Sequence, residues 1–158
     1  MYDIVNVINF SRGIETAIKY IHNIWGNKSN YPFYYDAIMH SSEEGKPLPR
    51  FYLMLDGEKR IGCYALLTND LISRQDLYPW FGCVFIEKDY RGKQLAFELM
   101  KHGAKEAKQL GYSILNLTTD HDGYYEKYGW IRIEDGFEFN GDRTRIYKMD
   151  IKEIVNHK

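Results

Sequence analysis

Residues 81–97 read FGCVFIEKDYRGKQLAF, and this stretch decides how the chain folds. Its first half is an apolar run that predicts a buried strand ending near Ile86. Its second half opens an amphipathic helix at about Gln94, and a short charged turn joins the two. Free main-chain N–H groups at a helix N-terminus attract anions, and Arg91 and Lys93 add positive charge beside them. The stretch therefore predicts a site for a phosphate-bearing ligand.

The composition is that of a globular protein without a charged surface for nucleic acid. The chain has 158 residues, of which 44% are hydrophobic and 27% charged, and its net charge is -1. This balance predicts no nucleic-acid or membrane partner, so a phosphate must be held by a local site. No apolar run approaches the ~20 residues of a membrane span, and residues 1–10 resemble a strand, not a signal peptide. We expect one cytoplasmic domain over residues 1–158, as a monomer or a homodimer.

Hydrophobic periodicity predicts the element order β-α-α-β-β-β-α-β-α-β-β. Ser11 is the expected N-cap of the first helix, and Gly111 is the residue that ends the long one. Hairpins on both sides of one β-α-β crossover predict an α/β fold, with a mixed, mostly antiparallel central sheet and helices on both faces. The predicted strands are residues 2–10, 51–55, 61–68, 81–86, 114–117, 130–139 and 145–151, and the predicted helices are residues 13–25, 31–39, 94–110 and 124–128.

Two motifs give this order a family resemblance. Residues 90–96 read YRGKQLA and residues 124–130 read YYEKYGW, with one predicted helix and one predicted strand between them. At this spacing they resemble the two signatures of the GNAT superfamily of acetyl-CoA-dependent N-acetyltransferases, which implies the GNAT fold. Dinucleotide and P-loop motifs are excluded, because no GxGxxG follows a strand and no Gly-Lys-Ser/Thr is present. The chain departs from the first signature at Gln94, where the family usually has glycine.

The resemblance implies that acetyl-CoA is the acyl donor. In the family, the strand before the turn pairs its main chain with the pantetheine arm, and amides at the helix start hold the pyrophosphate. A later polar residue, matched here by Thr118, often contacts the same arm. The implied cofactor contacts are Val84, Phe85, Ile86, Arg91, Gly92, Lys93, Gln94, Leu95, Ala96, Phe97 and Thr118.

The resemblance also implies direct attack of an amine on the thioester, without an acyl-enzyme. Tyr125 lies where the family places the proton donor to the leaving thiolate, and a phenol of pKa about 10 is protonated at neutral pH. Asp76 is the expected base, in a segment similar to one found in a subset of the family. The simpler alternatives are a packing aromatic for Tyr125 and a solvated loop carboxylate for Asp76. The run DHD at residues 120–122 predicts a polar turn and no metal site, because three consecutive residues seldom converge on one ion.

The acceptor is the least determined part of the prediction. Aromatic side chains of the second helix and of the segment before the cofactor strand offer a wall for a cationic amine, through Tyr31, Tyr34 and Trp80. The same residues also suit an ordinary core. We expect transfer of an acetyl group to a primary amine of a small molecule or a peptide. The alternative is a non-catalytic acyl-CoA-binding sensor or regulatory module of the same fold.

Overall fold

The chain folds into seven strands and four α-helices in a computed structural model that describes residues 1–41 and 46–156. The strands are β1 (Asp3–Asn6), β2 (Arg50–Asp56), β3 (Lys59–Leu67), β4 (Trp80–Ile86), β5 (Ile114–Thr119), β6 (Ile131–Phe137) and β7 (Arg143–Asp150). The helices are α1 (Ile14–Trp25), α2 (Tyr31–His40), α3 (Leu95–Gln109) and α4 (Ile151–Asn156). Short 3₁₀ helices lie at Val7–Asn9, Lys88–Tyr90 and Tyr125–Tyr128.

The strands form one sheet in the order β1-β2-β3-β4-β5-β7-β6. β4 and β5 pair in parallel, with Trp80 opposite Asn116, because α3 connects them as a crossover. Antiparallel pairing joins β1 to β2, β5 to β7 and β6 to β7. The predicted α/β fold with a mixed, mostly antiparallel sheet is confirmed.

The chain divides into two compact units. The first comprises Met1–Ala65 and Cys83–Leu99, and the second comprises Leu66–Gly82 and Met100–Lys158. In the first unit, buried side chains of α1 and of β2 and β3 form an apolar interior in which the Tyr52 and Tyr64 rings stack at 4.7 Å. In the second unit, α3, β5, β7 and α4 contribute the buried aliphatic side chains, together with Trp80 and Trp130. A single domain over residues 1–158 stays a prediction.

The start of the chain differs from its predicted structure. The first strand ends at Asn6 instead of reaching Phe10, because the Asn6 side chain accepts a hydrogen bond from the Ile8 amide (3.2 Å) and caps a 3₁₀ turn. The first helix is capped at Gly13, with φ 91, and not at Ser11. The C-terminal helix α4 was not predicted. Among residues 1–41 and 46–156, no helix has the length and apolar character needed to cross a bilayer.

Candidate active site

The turn between β4 and α3 carries a run of unpaired main-chain donors. Within the described part of the chain, the N–H groups of residues 92–96 donate to no acceptor. Gly92 and Gln94 have left-handed φ values of 82° and 57°, while the residues between and after them do not. The Gln94 carbonyl accepts the first helical hydrogen bonds, from Phe97 N (3.1 Å) and Glu98 N (3.3 Å). Consecutive free N–H groups at the start of a helix form an anion-binding concavity.

The main-chain amides at the two ends of the predicted cradle, Arg91 and Phe97, differ from those between them in having acceptors. The Arg91 amide donates to the Lys88 carbonyl (3.2 Å), and the Phe97 amide donates to the Gln94 carbonyl. Both amides already have acceptors inside the turn, which argues against a phosphate contact from either of them, and their contact with the cofactor stays a prediction. The cradle consists of the amides of Gly92, Lys93, Gln94, Leu95 and Ala96.

The Arg91 side chain is held at the edge of this cradle. Its Nε donates to the Ile86 carbonyl (2.9 Å), and its guanidinium lies 5.5 Å from the centre of the Phe85 ring. These contacts orient the guanidinium while leaving its terminal nitrogens for an anion. Lys93 Nζ lies 5.4 Å from the centre of the Tyr90 ring, so a second cation flanks the same turn.

β4 has an irregular backbone just before the predicted pantetheine contacts. Cys83 has a left-handed φ of 52°, and its carbonyl accepts a hydrogen bond from Cys63 Sγ (3.2 Å). Val84 and Phe85 remain partly exposed, whereas Ile86 is buried. Gly62 of β3 allows the strand to pack closely, because a Cβ at that position would lie 2.6 Å from the Phe85 carbonyl oxygen.

Tyr125 begins the 3₁₀ helix between β5 and β6. Its ring is packed by Tyr124 at 4.9 Å and by Trp130 and Tyr147 at 6.1 Å each, measured between ring centres. Burial, with a smaller contribution from Tyr124, raises the pKa of Tyr125 to about 12. No hydrogen-bond partner of its hydroxyl lies among residues 1–41 and 46–156. The group is therefore protonated at neutral pH and free to donate.

Comparison with known proteins identifies the family. The model of the acetyltransferase (GNAT) family matches residues 15–130. This chain belongs to the GNAT acetyltransferase family. The predictions of an N-acetyltransferase and of acetyl-CoA as its acyl donor are confirmed at the level of the family. No curated protein matches the chain in sequence.

Solved structures share the GNAT fold at low sequence identity. A GNAT family acetyltransferase from Elizabethkingia anophelis, solved with acetyl-CoA bound, has a TM-score of 0.62 and 15% identity over 94% of this chain and 97% of that chain. The spermidine/spermine N-acetyltransferase from Vibrio cholerae has a TM-score of 0.67 and 15% identity, over 98% and 95%. An N-acetyltransferase from Staphylococcus aureus Mu50 has a TM-score of 0.65 and 13% identity, over 96% and 98%.

The GNAT signature explains why Gln94 is unusual. Its φ of 57° lies in the region that favours glycine, so the glycine usual in the family suits the backbone conformation of this turn. Gln94 adopts the same conformation at a cost, and its side chain is exposed. The departure from the signature therefore leaves the cradle amides in place.

Thr118 and Asn116 have different roles on β5. The Thr118 and Thr144 hydroxyls lie 2.5 Å apart, and Thr144 Oγ1 also donates to the Thr119 carbonyl (3.5 Å). Either hydroxyl can donate in the Thr118–Thr144 pair, and the Thr118 oxygen keeps a lone pair that can accept a hydrogen bond from a pantetheine amide. Asn116 is buried, and its Nδ2 donates to the Pro79 carbonyl (3.1 Å), which ties β5 to the start of β4.

The predicted acceptor residues differ in how deeply they are buried. Trp80 is 0% exposed and its Nε1 donates to the Leu77 carbonyl (2.7 Å), which argues against its predicted place in an acceptor wall. A tryptophan buried in the core has no surface for a ligand. Tyr31 and Tyr34 of α2 are partly buried beside His22, at ring distances of 5.1 and 5.7 Å. Their contact with the acceptor stays a prediction.

Two aspartates lie in the β3–β4 connection, and their surroundings shift their pKa values in opposite directions. Asp76 accepts two hydrogen bonds from Arg74, at 2.9 and 2.8 Å, and these hold the pKa of its carboxyl below the usual value. A carboxylate satisfied by a guanidinium is a poor proton acceptor, so the geometry argues against the predicted base. Sequence reasoning missed Asp70, whose carboxyl has its pKa raised to about 7, chiefly by burial and also by Glu138. Both are loop aspartates in sequence, and only the folded structure distinguishes them.

Proposed function

We propose that this enzyme transfers an acetyl group from acetyl-CoA to a primary amine of a small molecule or a peptide, by direct attack in a ternary complex. The observation that carries the proposal is the run of free amides at residues 92–96, flanked by the Arg91 guanidinium. Such a cradle suits the pyrophosphate of coenzyme A, whose two phosphate groups each need several donors.

The main chain of β4 is proposed to bind the thioester carbonyl. A main-chain N–H among Val84, Phe85 and Ile86 polarises the thioester carbonyl as the tetrahedral intermediate forms. Thr118 accepts a hydrogen bond from the pantetheine arm. The left-handed φ at Cys83 supports this role, because it turns the main chain away from regular strand geometry just before these residues.

Tyr125 is proposed to donate a hydrogen bond to the departing sulfur. The leaving thiolate has a pKa near that of a free thiol, about 8.5, which lies below the Tyr125 pKa of about 12. Complete proton transfer from the phenol is therefore unfavourable, and its hydrogen bond stabilises the thiolate while solvent supplies the final proton. The unpaired hydroxyl favours this role over that of a packing aromatic.

The acceptor is proposed to be a cationic amine that becomes neutral before attack. Tyr31 and Tyr34 present aromatic faces suited to such an amine. The spermidine/spermine N-acetyltransferase from Vibrio cholerae shares the fold, so polyamines belong in the first set of acceptors to test.

The test is an amine panel with detection of the released thiol, preceded by calorimetric titration of acetyl-CoA. Binding followed by amine-dependent thiol release supports the proposal. Binding without release from any amine supports the sensor alternative, and absence of binding at high micromolar concentration contradicts both functions. Cys63 and Cys83 are thiols and not half of a disulfide, so a blank without amine corrects for protein thiols.

Substitution of Tyr125 tests the proposed hydrogen bond. We expect Tyr125→Phe to lower kcat by about 10²-fold and to leave the Kd of acetyl-CoA within about twofold, since the hydroxyl acts only as sulfur departs. Tyr124→Phe is the matched control, because it removes a neighbouring hydroxyl outside the proposed chemistry. Equal kcat values for the two variants would contradict the role.

A further inference from the structure

A cavity of about 550 Å³ lies beside the turn that leads into the proposed phosphate cradle. This volume is typical of small-molecule sites in proteins. The walls of the cavity come from α1 and the segment before it, from the β2–β3 turn with the start of β3, and from residues 87–90. All of these residues belong to the first compact unit, as does the cradle at residues 92–96. The cavity is therefore a feature of one unit.

Most carboxylates of this cavity are already engaged by groups of the chain. Glu58 pairs with the Arg12 guanidinium (3.3 Å), and Glu87 accepts a hydrogen bond from the Tyr20 hydroxyl (2.8 Å). Asp89 is exposed, and it is the lining carboxylate without such a partner in the part of the chain that the structure describes. The cavity thus offers little free negative charge to a cationic ligand.

Three cations of the same cavity are not neutralised. Lys59, Arg60 and Lys88 form no ion pair with a carboxylate among residues 1–41 and 46–156. The Arg60 guanidinium instead lies 5.7 Å from the centre of the Tyr20 ring, and Lys59 Nζ lies 5.1 Å from the centre of the Tyr90 ring. A ring orients a cation without cancelling its charge. The ligand that suits this cavity is therefore an anion.

Tyr90 connects the cavity to the cradle. Its ring is contacted by Lys59 Nζ, which belongs to the cavity, and by Lys93 Nζ, which belongs to the cradle, at 5.1 and 5.4 Å from the ring centre. Its hydroxyl donates to Asp56 (2.6 Å), and its ring packs edge-on against Tyr2 at 5.8 Å. These contacts hold the ring in place, so the two ammonium groups stay close to one fixed side chain.

The chemistry of coenzyme A supplies an anion of the right kind. The ribose that carries the pyrophosphate on one carbon carries a phosphate monoester on its 3′ carbon. Such a monoester has a charge between about -1.5 and -2 at neutral pH. A pyrophosphate held by the amides of residues 92–96 leaves this third phosphate close to the same turn.

We propose that the cavity beside Tyr90 binds the 3′-phosphate of acetyl-CoA, through the side chains of Lys59 and Arg60. This inference rests on the proposed function, because it requires the pyrophosphate to lie in the cradle. Lys93, on the same ring as Lys59, lies where the pyrophosphate and the 3′-phosphate meet. The donor is then recognised by two separate anion sites of the first unit.

The test compares calorimetric titration of acetyl-CoA with that of acetyl-dephospho-CoA, which lacks only the 3′-phosphate. We expect the wild-type protein to bind acetyl-dephospho-CoA about tenfold more weakly, because the contacts with two cations are lost. The Kd of acetyl-dephospho-CoA should also depend less on ionic strength, since fewer charges are screened.

Two variants locate the contact. We expect Lys59→Gln and Arg60→Gln each to weaken acetyl-CoA binding about fivefold and to leave the Kd of acetyl-dephospho-CoA within about twofold. Lys108→Gln is the matched control, because it removes an equal charge from an exposed position in the last turn of α3. Both Kd values should be the same in Lys108→Gln as in the wild type.

Three results would overturn the proposal. They are equal wild-type Kd values for the two ligands, equal losses for both ligands in Lys59→Gln and Arg60→Gln, and a loss in Lys108→Gln as large as theirs. In the last two cases, a general effect of charge or folding would account for the change. Absence of binding of either ligand at high micromolar concentration would instead refute the proposed function.

Discussion

Replacing Gln94 with glycine tests the conformation of the turn that is proposed to hold the phosphates. Gln94 has a φ of 57° and an exposed side chain, so glycine relieves backbone strain and removes little packing. A non-glycine residue in the left-handed region costs about 1–2 kcal/mol. Substitution by glycine removes this cost, but glycine itself costs about 0.5–1 kcal/mol because it loses more backbone entropy on folding. The free energy of unfolding should therefore rise by about 0–1.5 kcal/mol.

The assay is urea unfolding of Gln94→Gly, Gln94→Ala and Lys93→Gly beside the wild-type protein. Lys93 has no left-handed φ, so Lys93→Gly relieves no strain and should lose about 0.5–1 kcal/mol. Gln94→Ala keeps its Cβ and the strain, and should stay within about 0.5 kcal/mol of the wild type. The reasoning is refuted if Gln94→Gly is destabilised as much as Lys93→Gly, because the φ value would then carry no cost.

The same variant tests whether the Gln94 side chain contacts the cofactor. The proposed cradle consists of main-chain amides, which a glycine at position 94 also supplies. We expect the calorimetric Kd of acetyl-CoA to stay within about twofold or to decrease. A loss of about tenfold, corresponding to about 1.4 kcal/mol, would show that the Gln94 side chain makes a contact of its own.

Three other substitutions have expected outcomes. Gly62→Ala places a Cβ 2.6 Å from the Phe85 carbonyl oxygen and should lower the free energy of unfolding by about 1–3 kcal/mol. An unchanged midpoint of urea unfolding would contradict the close strand packing. Arg91→Leu should weaken acetyl-CoA binding about tenfold and flatten its salt dependence, as calorimetry at two ionic strengths would show; equal salt slopes would contradict a phosphate contact. The Asp70 pKa is raised from 3.8 to about 7 on folding, so ionisation destabilises the folded state and stability falls as pH rises across that interval. Asp70→Asn should thus be up to about 4 kcal/mol more stable than the wild type near pH 8 and equal to it below about pH 4. Urea unfolding across this pH range measures the difference in stability between the two proteins. A difference that does not change with pH would contradict the raised pKa.

The elements around the phosphate cradle were predictable because their signals are local. Residues 81–97 were expected to form a strand, a turn and a helix, and they form β4, a 3₁₀ turn and α3. The end of β1 was missed because the Asn6 side chain caps a turn inside an apolar run that otherwise suits a strand. Helix α4 was missed because residues 151–156 lack the length of an amphipathic pattern and are anchored by burial of Ile151 and Ile154.

The sequence by itself determined the family and the strand, turn and helix that carry the proposed cofactor cradle. Both depend on residues that are close along the chain, and a helix N-terminus exposes its amides whatever packs behind it. Only the tertiary structure decided the surroundings of Trp80, Asp76 and Asp70. Folding buries Trp80 and brings the Arg74 guanidinium beside Asp76. It also packs the Asp70 carboxylate against Gly82. A carboxylate's proton affinity depends on its solvation and its neighbouring charges, and residue type and chain position specify neither.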